Sequence, residues 1–286
     1  MPELPEVETT KRGISSHLVD QTITSVIVRH HQLRLPVAPD LHDLCVGKKI
    51  LTVSRRAKYL LIELSTGTLI IHLGMSGHLR IVNDHSLAAK HDHIDLCLND
   101  GSILRYHDPR RFGLWLYIAT NPSQHRLFSH LGPEPLSNEF DGDYLIQRAY
   151  QKNQSIKSFI MNNSVVVGIG NIYATECLFL AGIHPQSPAG AIPKELLLIL
   201  STHIKQVLQR AIDSGGTTLR DFYATDGKPG YFATALQVYG RNNLPCPQCN
   251  LLIKSVLIAG RTSAFCPQCQ PQYYGQTEVL AVLSVN

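Results

Sequence analysis

Two cysteine pairs, Cys246-Pro-Gln-Cys249 and Cys266-Pro-Gln-Cys269, stand sixteen residues apart. No other stretch restricts the local fold so tightly. Two facing turns of this kind offer four thiolates to one tetrahedral Zn2+. Between the pairs, Ile253–Ile258 and Thr262–Phe265 read as the strands of a hairpin with Gly260-Arg261-Thr262 at its tip. Two disulfides or a redox pair are the competing readings. Neither suits a duplicated pair in a reducing compartment without a thioredoxin-like pattern around it. Four thiolates leave no open coordination position, so the expected zinc is a structural staple. The remaining Cys45, Cys97 and Cys177 lie in apolar segments and read as buried thiols.

The chain has 286 residues, enough for two domains and a sizeable core. Leu4, Val7, Ile14 and Leu18 recur at helical spacing and predict a helix over 3–18. Short strand-like runs follow at Ile23–Val28, Ile50–Val53, Tyr59–Leu64, Leu69–Leu73, His78–Val82, His93–Leu98, Ile103–Tyr106 and Leu114–Ile118. Asn99-Asp100-Gly101-Ser102 between two of them is a strong hairpin signal. Short strands at this spacing predict a β-sandwich or barrel. The pattern changes at Gly132-Pro133-Glu134-Pro135, beyond which 143–151, 155–162, 171–182 and 193–214 read as helices. Leu196, Ile199, Leu200, His203, Ile204, Val207, Leu208 and Ala211 form the expected buried face of the last one, which Gly215-Gly216 ends. The expected divisions are therefore a β-rich domain at 2–132, a helical domain at 136–235, a cysteine module at 236–270 and a tail at 271–286.

Composition excludes little but narrows the setting. The net charge of +4 and pI near 8.6 permit a polyanionic partner without demanding one. No apolar run approaches the roughly 18 residues of a membrane span. The acidic opening lacks the pattern of a signal peptide, so a soluble, cytoplasmic protein is expected.

The candidate chemistry begins at Met1-Pro2-Glu3-Leu4-Pro5-Glu6. Once Met1 is removed, Pro2 carries a free secondary amine that can attack a sugar carbon and form an iminium. An α-amine titrates near pH ~8, well below lysine at ~10, and Glu3 beside it can move a proton. Taken alone, these residues fit an ordinary helix start at least as well, with Pro in the first turn and acids facing the helix dipole. Arg55-Arg56-Ala57-Lys58-Tyr59 places cations before an apolar strand, with Arg56 and Lys58 expected on one face; a solvated strand edge would look the same. Gly74-Met75-Ser76-Gly77 and Asp108-Pro109-Arg110-Arg111-Phe112-Gly113 are tight turns that join an apolar side chain to cations. Such wedges unstack and kink a duplex, although core placement is the ordinary fate of Met75 and Phe112. Val167-Gly168-Ile169-Gly170-Asn171 opens a helix from a glycine-rich turn, with Asn171 as N-cap or phosphate donor.

Together these segments resemble the formamidopyrimidine-DNA glycosylases, bacterial base-excision enzymes for oxidised purines. The resemblance runs from Pro2-Glu3-Leu4-Pro5-Glu6 to the second cysteine pair and includes His72–Gly77, Lys90–His93, Asp108–Gly113, Gly168–Tyr173 and Gln237–Arg241. It implies an α+β multidomain fold: an N-terminal helix and β-sandwich, a helix–two-turns–helix domain and a β-hairpin zinc finger. The implied activity is a glycosylase and abasic-site lyase that acts as a monomer on double-stranded DNA containing oxidised bases. By resemblance, Pro2 attacks C1′, Glu3 assists ring opening, Lys58 serves β-elimination and Arg261 δ-elimination. His91, Arg110 and Lys152 match DNA contacts, and Met75, Arg110 and Phe112 match the residues filling the gap left by a flipped nucleotide. Lys157 and Asn171 match phosphate ligands, and 217–230 corresponds to a lid over the lesion. Lys157-Ser-Phe-Ile-Met-Asn-Asn163 departs from the family's usual stretch, and the tail is longer than in many relatives. An endonuclease VIII-like enzyme for oxidised pyrimidines, a zinc-stapled DNA-binding protein without catalysis, and a redox protein are the alternatives.

Overall fold

The computed structural model describes residues 2–83, 87–217 and 232–274. Helix α1 (Leu4–Leu18) leads into β1 (Ile23–Val28), and a short α2 (Leu41–Cys45) precedes β2 (Ile50–Arg56). Six more strands follow: β3 (Tyr59–Leu64), β4 (Gly67–His72), β5 (His78–Asn83), β6 (Asp92–Leu98), β7 (Ser102–His107) and β8 (Leu114–Ile118). They form two antiparallel four-stranded sheets, ordered β1-β6-β7-β5 and β2-β3-β4-β8. One shared core takes Ile23 and Val26 from β1, Ile94 and Leu96 from β6, Leu60 and Ile62 from β3, and Leu69 and Ile71 from β4. This is the expected sandwich. Val7, Ile14 and Leu18 of α1 join the same core, each side chain contributing about 1.5–3 kcal/mol by leaving water.

The hairpin signal at 99–102 is realised between β6 and β7: Gly101 takes φ +85 and Asp100 Oδ1 accepts the Ser102 amide at 2.9 Å. The β2–β3 connection differs from expectation. β2 runs on through Arg55 and Arg56, and Arg56 pairs with Tyr59 across a two-residue turn. Ala57 there adopts φ +54, a conformation a sequence reader assigns to glycine or asparagine. The turn breaks the alternation that would have set Arg56 and Lys58 on one face.

The remaining elements are α3 (Gly142–Ala149), α4 (Ile156–Ile160), α5 (Asn171–Leu180), α6 (Lys194–Asp213) and the hairpin strands β9 (Lys254–Ile258) and β10 (Arg261–Phe265). The chain groups into two compact units, Met1–Leu131 with Gln209–Ala235, and Gly132–Leu208 with Leu236–Asn286. Among the described residues, 209–217 and 232–235 thus group with the sandwich. In the second unit, α3 approaches α6 so closely that a Cβ on Gly142 would lie 2.3 Å from Leu198 Cδ2. The buried face of α6 keeps most of the expected positions and shifts only near its start. Leu197, Leu200, Ile204, Val207, Leu208 and Ala211 are buried, whereas Ile199 is 44% exposed. Gly215 and Gly216, at φ +76 and +83, end the helix as expected. Glu176 of α5 accepts the backbone amides of Gln237, Val238 and Tyr239, fixing the chain that enters the cysteine module. Cys45 and Cys177 are buried and Cys97 is half-buried. Burial pushes the Cys45 thiol up to about 12, which makes it chemically inert at neutral pH.

Candidate active site and nucleic-acid contacts

In the first unit, Pro2 and Glu3 are both buried at the start of α1, with Glu3 as N-cap. Glu6, one turn in, uses its two oxygens in opposite directions. Oε2 accepts the Glu3 amide at 2.8 Å, as a capping box requires, and Oε1 accepts the Thr217 amide at 2.8 Å. A second carboxylate on the helix, Glu8, accepts Arg55 Nε at 3.0 Å, while Arg55 Nη1 donates to Ala57 O at 2.9 Å. Burial alone would raise Glu8, but hydrogen bonds from Lys11 and Arg55 hold it below the usual carboxylate range. The helix carrying Pro2 and Glu3 is thereby tied to the turn carrying Lys58, which is only 9% exposed and no solvated strand edge. His72 at the end of β4 accompanies them. Burial, with the Lys58 and Arg34 cations nearby, pulls its imidazole down to about 4, so it is neutral at physiological pH. Its Nδ1 accepts the Gly74 amide at 2.9 Å.

The two turns suspected as wedges lie against each other. Gly74, at φ +68, comes so near that a Cβ there would sit 2.5 Å from the Phe112 carbonyl carbon. Met75 is 37% exposed and Phe112 46% exposed, so neither has the ordinary fate of a core residue. The Arg110 guanidinium stands 5.0 Å from the Phe112 ring centroid, a cation–π pair. His91 is half-buried beside them, its carbonyl accepting the Asp108 amide at 3.0 Å and its ring stacked edge-on to His93 and His107.

In the second unit, Lys157 sits inside a network of side chains. It is 1% exposed, and its ammonium donates to Asn171 Oδ1 at 2.6 Å, Thr175 Oγ1 at 2.9 Å and Ser263 Oγ at 2.7 Å. An ammonium has three protons, enough for one to each of these acceptors. Through these contacts Lys157 orients Asn171, Thr175 and Ser263. Asn171 is the first residue of α5 and not its cap; Gly170 takes that position. With Oδ1 held by Lys157, Asn171 Nδ2 donates to Thr262 O at 3.2 Å. Arg261 is exposed beside the hairpin turn, where Ala259 and Gly260 both have positive φ. Lys157, Ser158, Met161, Asn162, Ala259 and Arg261 line a cavity of about 180 Å3. Lys152 is exposed in the turn after α3.

The four cysteines of the module converge, all ligand atoms lying within 4.8 Å of one another. Cys246 Sγ is 3.9 Å from Cys269 Sγ, and Cys249 Sγ is 3.4 Å from Cys266 Sγ. Tetrahedral zinc with Zn–S near 2.3 Å needs sulfurs about 3.8 Å apart, so the donor set fits the ion. Amides of Gln248 and Cys269 point at Cys246 and Cys266 sulfurs, each at 3.4 Å, as suits thiolates.

The structure thus brings Pro2, Glu3 and Lys58 into one unit with Met75, His91, Arg110 and Phe112, and Lys157, Asn171 and Arg261 into the other, together with Lys152. The expected lid falls almost wholly on 218–231, outside the described residues. Sequence reasoning missed Glu6, Glu8, Arg55, His72 and Ser263. Ser263 and Lys157 are 106 positions apart, and no local pattern joins them. His72 stood in a recognised segment, and its neighbour Lys58 was the available clue.

Comparison with known proteins gives a consistent result. Family models described as the formamidopyrimidine-DNA glycosylase N-terminal domain, the formamidopyrimidine-DNA glycosylase H2TH domain, and a zinc finger found in FPG and IleRS match residues 1–115, 131–223 and 243–272. A formamidopyrimidine-DNA glycosylase from Legionella pneumophila (strain Lens) is 60% identical over 271 residues, covering 95% of this chain and 99% of the relative. A crystal structure of a Lactococcus lactis FPG variant with Fapy-dG-containing DNA superposes with TM-score 0.89 at 34% identity, over 95% of this chain and 100% of that one. The Lactococcus lactis Fpg complex with abasic-site DNA does so with TM-score 0.89 at 34% identity, over 94% and 100%.

Proposed function

We propose a residue-level mechanism on one premise: the chain belongs to the formamidopyrimidine-DNA glycosylase family. It is a base-excision repair glycosylase for oxidised purines and an abasic-site lyase, and its substrate is lesion-bearing DNA. A structural zinc is held by Cys246, Cys249, Cys266 and Cys269, and when bound it staples the hairpin. The observation that carries the mechanism is the placement of Pro2 and Glu3 at a helix start anchored from both sides by Glu6 and Glu8.

After Met1 is removed, the Pro2 nitrogen attacks C1′ of the extruded nucleotide as the glycosidic bond breaks and the base leaves. Glu3 delivers a proton to the ring oxygen, the sugar opens, and Pro2 is left as an iminium. Loss of a C2′ proton then expels the 3′ phosphate, and loss of a C4′ proton expels the 5′ phosphate. Lys58 serves the first elimination. Arg261 serves the second, its planar guanidinium holding phosphate charge. Met75, Arg110 and Phe112 fill the space vacated by the flipped nucleotide, Arg110 adding charge. His91 and Lys152 meet backbone phosphates in the first and second units respectively. Asn171 offers Nδ2 to phosphate, and Lys157 sets its orientation. The protein works as a monomer, in the cytoplasm on chromosomal DNA, with functional divisions at 2–132, 136–235 and 236–270. Among the described residues, no helix is long and apolar enough to cross a membrane.

Borohydride reduction during turnover of an 8-oxoguanine duplex tests the core of this scheme. The expected product is a covalent protein–DNA adduct whose mass maps to Pro2 in a chain lacking Met1. Efficient base release with no trapped adduct overturns it.

A further inference from the structure

A carboxylate that the mechanism leaves idle sits under the two wedge turns. Asp108 is fully buried, at 0% exposure. Its Oδ1 accepts Ser76 Oγ at 2.8 Å, and its Oδ2 accepts both Tyr106 OH and the Gly113 amide at 2.9 Å. Ser76 Oγ also accepts the Arg110 amide at 3.3 Å. From the outer side, His93 Nε2 lies 2.8 Å from Asp108 O. One carboxylate therefore joins the turn that presents Met75 to the turn that presents Arg110 and Phe112.

We propose that Asp108, steadied by Tyr106, is a positioning residue that locks these two turns into one rigid insertion element and so governs extrusion of the damaged nucleotide. The inference rests on the reading of Met75, Arg110 and Phe112 as gap-filling residues. Burying a carboxylate is costly unless several donors compensate it, and here three do so at normal distances. Tyr106 is buried behind it, and burial together with the nearby Asp108 charge raises the phenol well above its ordinary value, so it remains a donor. The packing leaves no slack. A Cβ on Gly113 would meet Tyr106 OH at 1.6 Å, and one on Gly77 would meet it at 2.7 Å. Inserting side chains must resist restacking bases, and a turn with fixed backbone transmits that force.

The test compares two substrates. A lesion in duplex DNA requires extrusion, whereas an abasic site in single-stranded DNA does not. Ser76→Ala cuts the link between the turns while leaving the Tyr106 and Gly113 bonds to Asp108 in place. Asp108→Ala removes the hub, and Asp108→Asn keeps one accepting oxygen and turns an amide donor toward Ser76. The expected result is a loss of at least tenfold in kcat/KM on the 8-oxoguanine duplex for Ser76→Ala and Asp108→Ala. Asp108→Asn should recover most of it, and single-strand β-elimination should stay within twofold for all three. Equal losses on both substrates, or no loss on the duplex, overturn the proposal. If Asp108→Ala does not fold, Ser76→Ala alone decides. The double variant Met75→Ala/Phe112→Ala separates the premise from the inference. If it shows no duplex-specific loss, the gap-filling reading fails; if it does and Ser76→Ala does not, only the role of Asp108 fails.

Discussion

Replacing Lys157 with methionine distinguishes a phosphate ligand from a buried organiser. Methionine fills nearly the same volume but takes away the ammonium that serves Asn171 Oδ1, Thr175 Oγ1 and Ser263 Oγ. Thr175 and Ser263 keep bonds to the Asn171 and Arg261 carbonyls, at 2.7 and 3.3 Å, so their hydroxyls are not abandoned. Asn171 Oδ1 loses its charged donor inside the protein. A buried acceptor left unmet costs about 1–3 kcal/mol, less at the half-buried Asn171, and the charge removed no longer has to be desolvated. A net destabilisation of about 1 kcal/mol is expected in urea melts. Once Asn171 can turn, its Nδ2 loses its aim, and affinity for a duplex with an abasic analogue should fall about tenfold, equivalent to about 1.4 kcal/mol. The salt dependence decides the matter. An ammonium that touches no phosphate releases no counterion, so the slope of log Kobs against log salt should match the parent's. Arg261→Ala, at an exposed cation, should reduce that slope by about 0.9. A comparable drop for Lys157→Met would refute the argument.

Other expectations follow from the same geometry. Pro2→Gly keeps an N-terminal amine and should retain measurable lyase activity, whereas Glu3→Gln should reduce base release by at least a hundredfold; equal, parental excision by both removes the mechanism. Chelating the zinc should unfold residues 243–272 and abolish DNA binding, and added Zn2+ should restore both; an apo-protein with full affinity contradicts the stapling role. Burial, the His107 charge and then Arg80 pull His78 from 6.5 to about 4, as burial, Lys58 and Arg34 do for His72. The folded state therefore takes up fewer protons than the unfolded chain in that window, and stability should fall as pH drops from about 6.5 to 4. Each imidazole accounts for at most about 3 kcal/mol, less for its partial exposure. His78→Gln should flatten the decline in Tm, and an unchanged profile would show that the imidazole is not responsible.

Much of this was legible in the residues because the signals are local. The cysteine spacing, the Asn-Asp-Gly turn and the period-two strands each carry their own geometric requirement. What stayed hidden depends on contacts between distant positions. Ala57 gives no sign of a positive φ, so Lys58 was read as part of a strand although it lies in the turn between β2 and β3. The burial of Lys157 likewise has no local sign, since Ser263, which the hairpin brings in, helps Asn171 and Thr175 enclose its ammonium. On α6, apolar residues occur at too many adjacent positions for periodicity alone to choose the buried seam, and Leu197 faces inward where Ile199 was expected.

Glu6 makes the reactive end of α1 and the chain at Thr217 a single mechanical joint, since one carboxylate clasps an amide of each. Loosening either side frees an oxygen that the other side then competes for. Substitutions at Glu3 and around Thr217 should consequently be strongly non-additive, with coupling that vanishes in a Glu6→Ala background. Kinetic defects mapped to one end of that joint will thus be shared with the other, however far apart the two stand in the sequence.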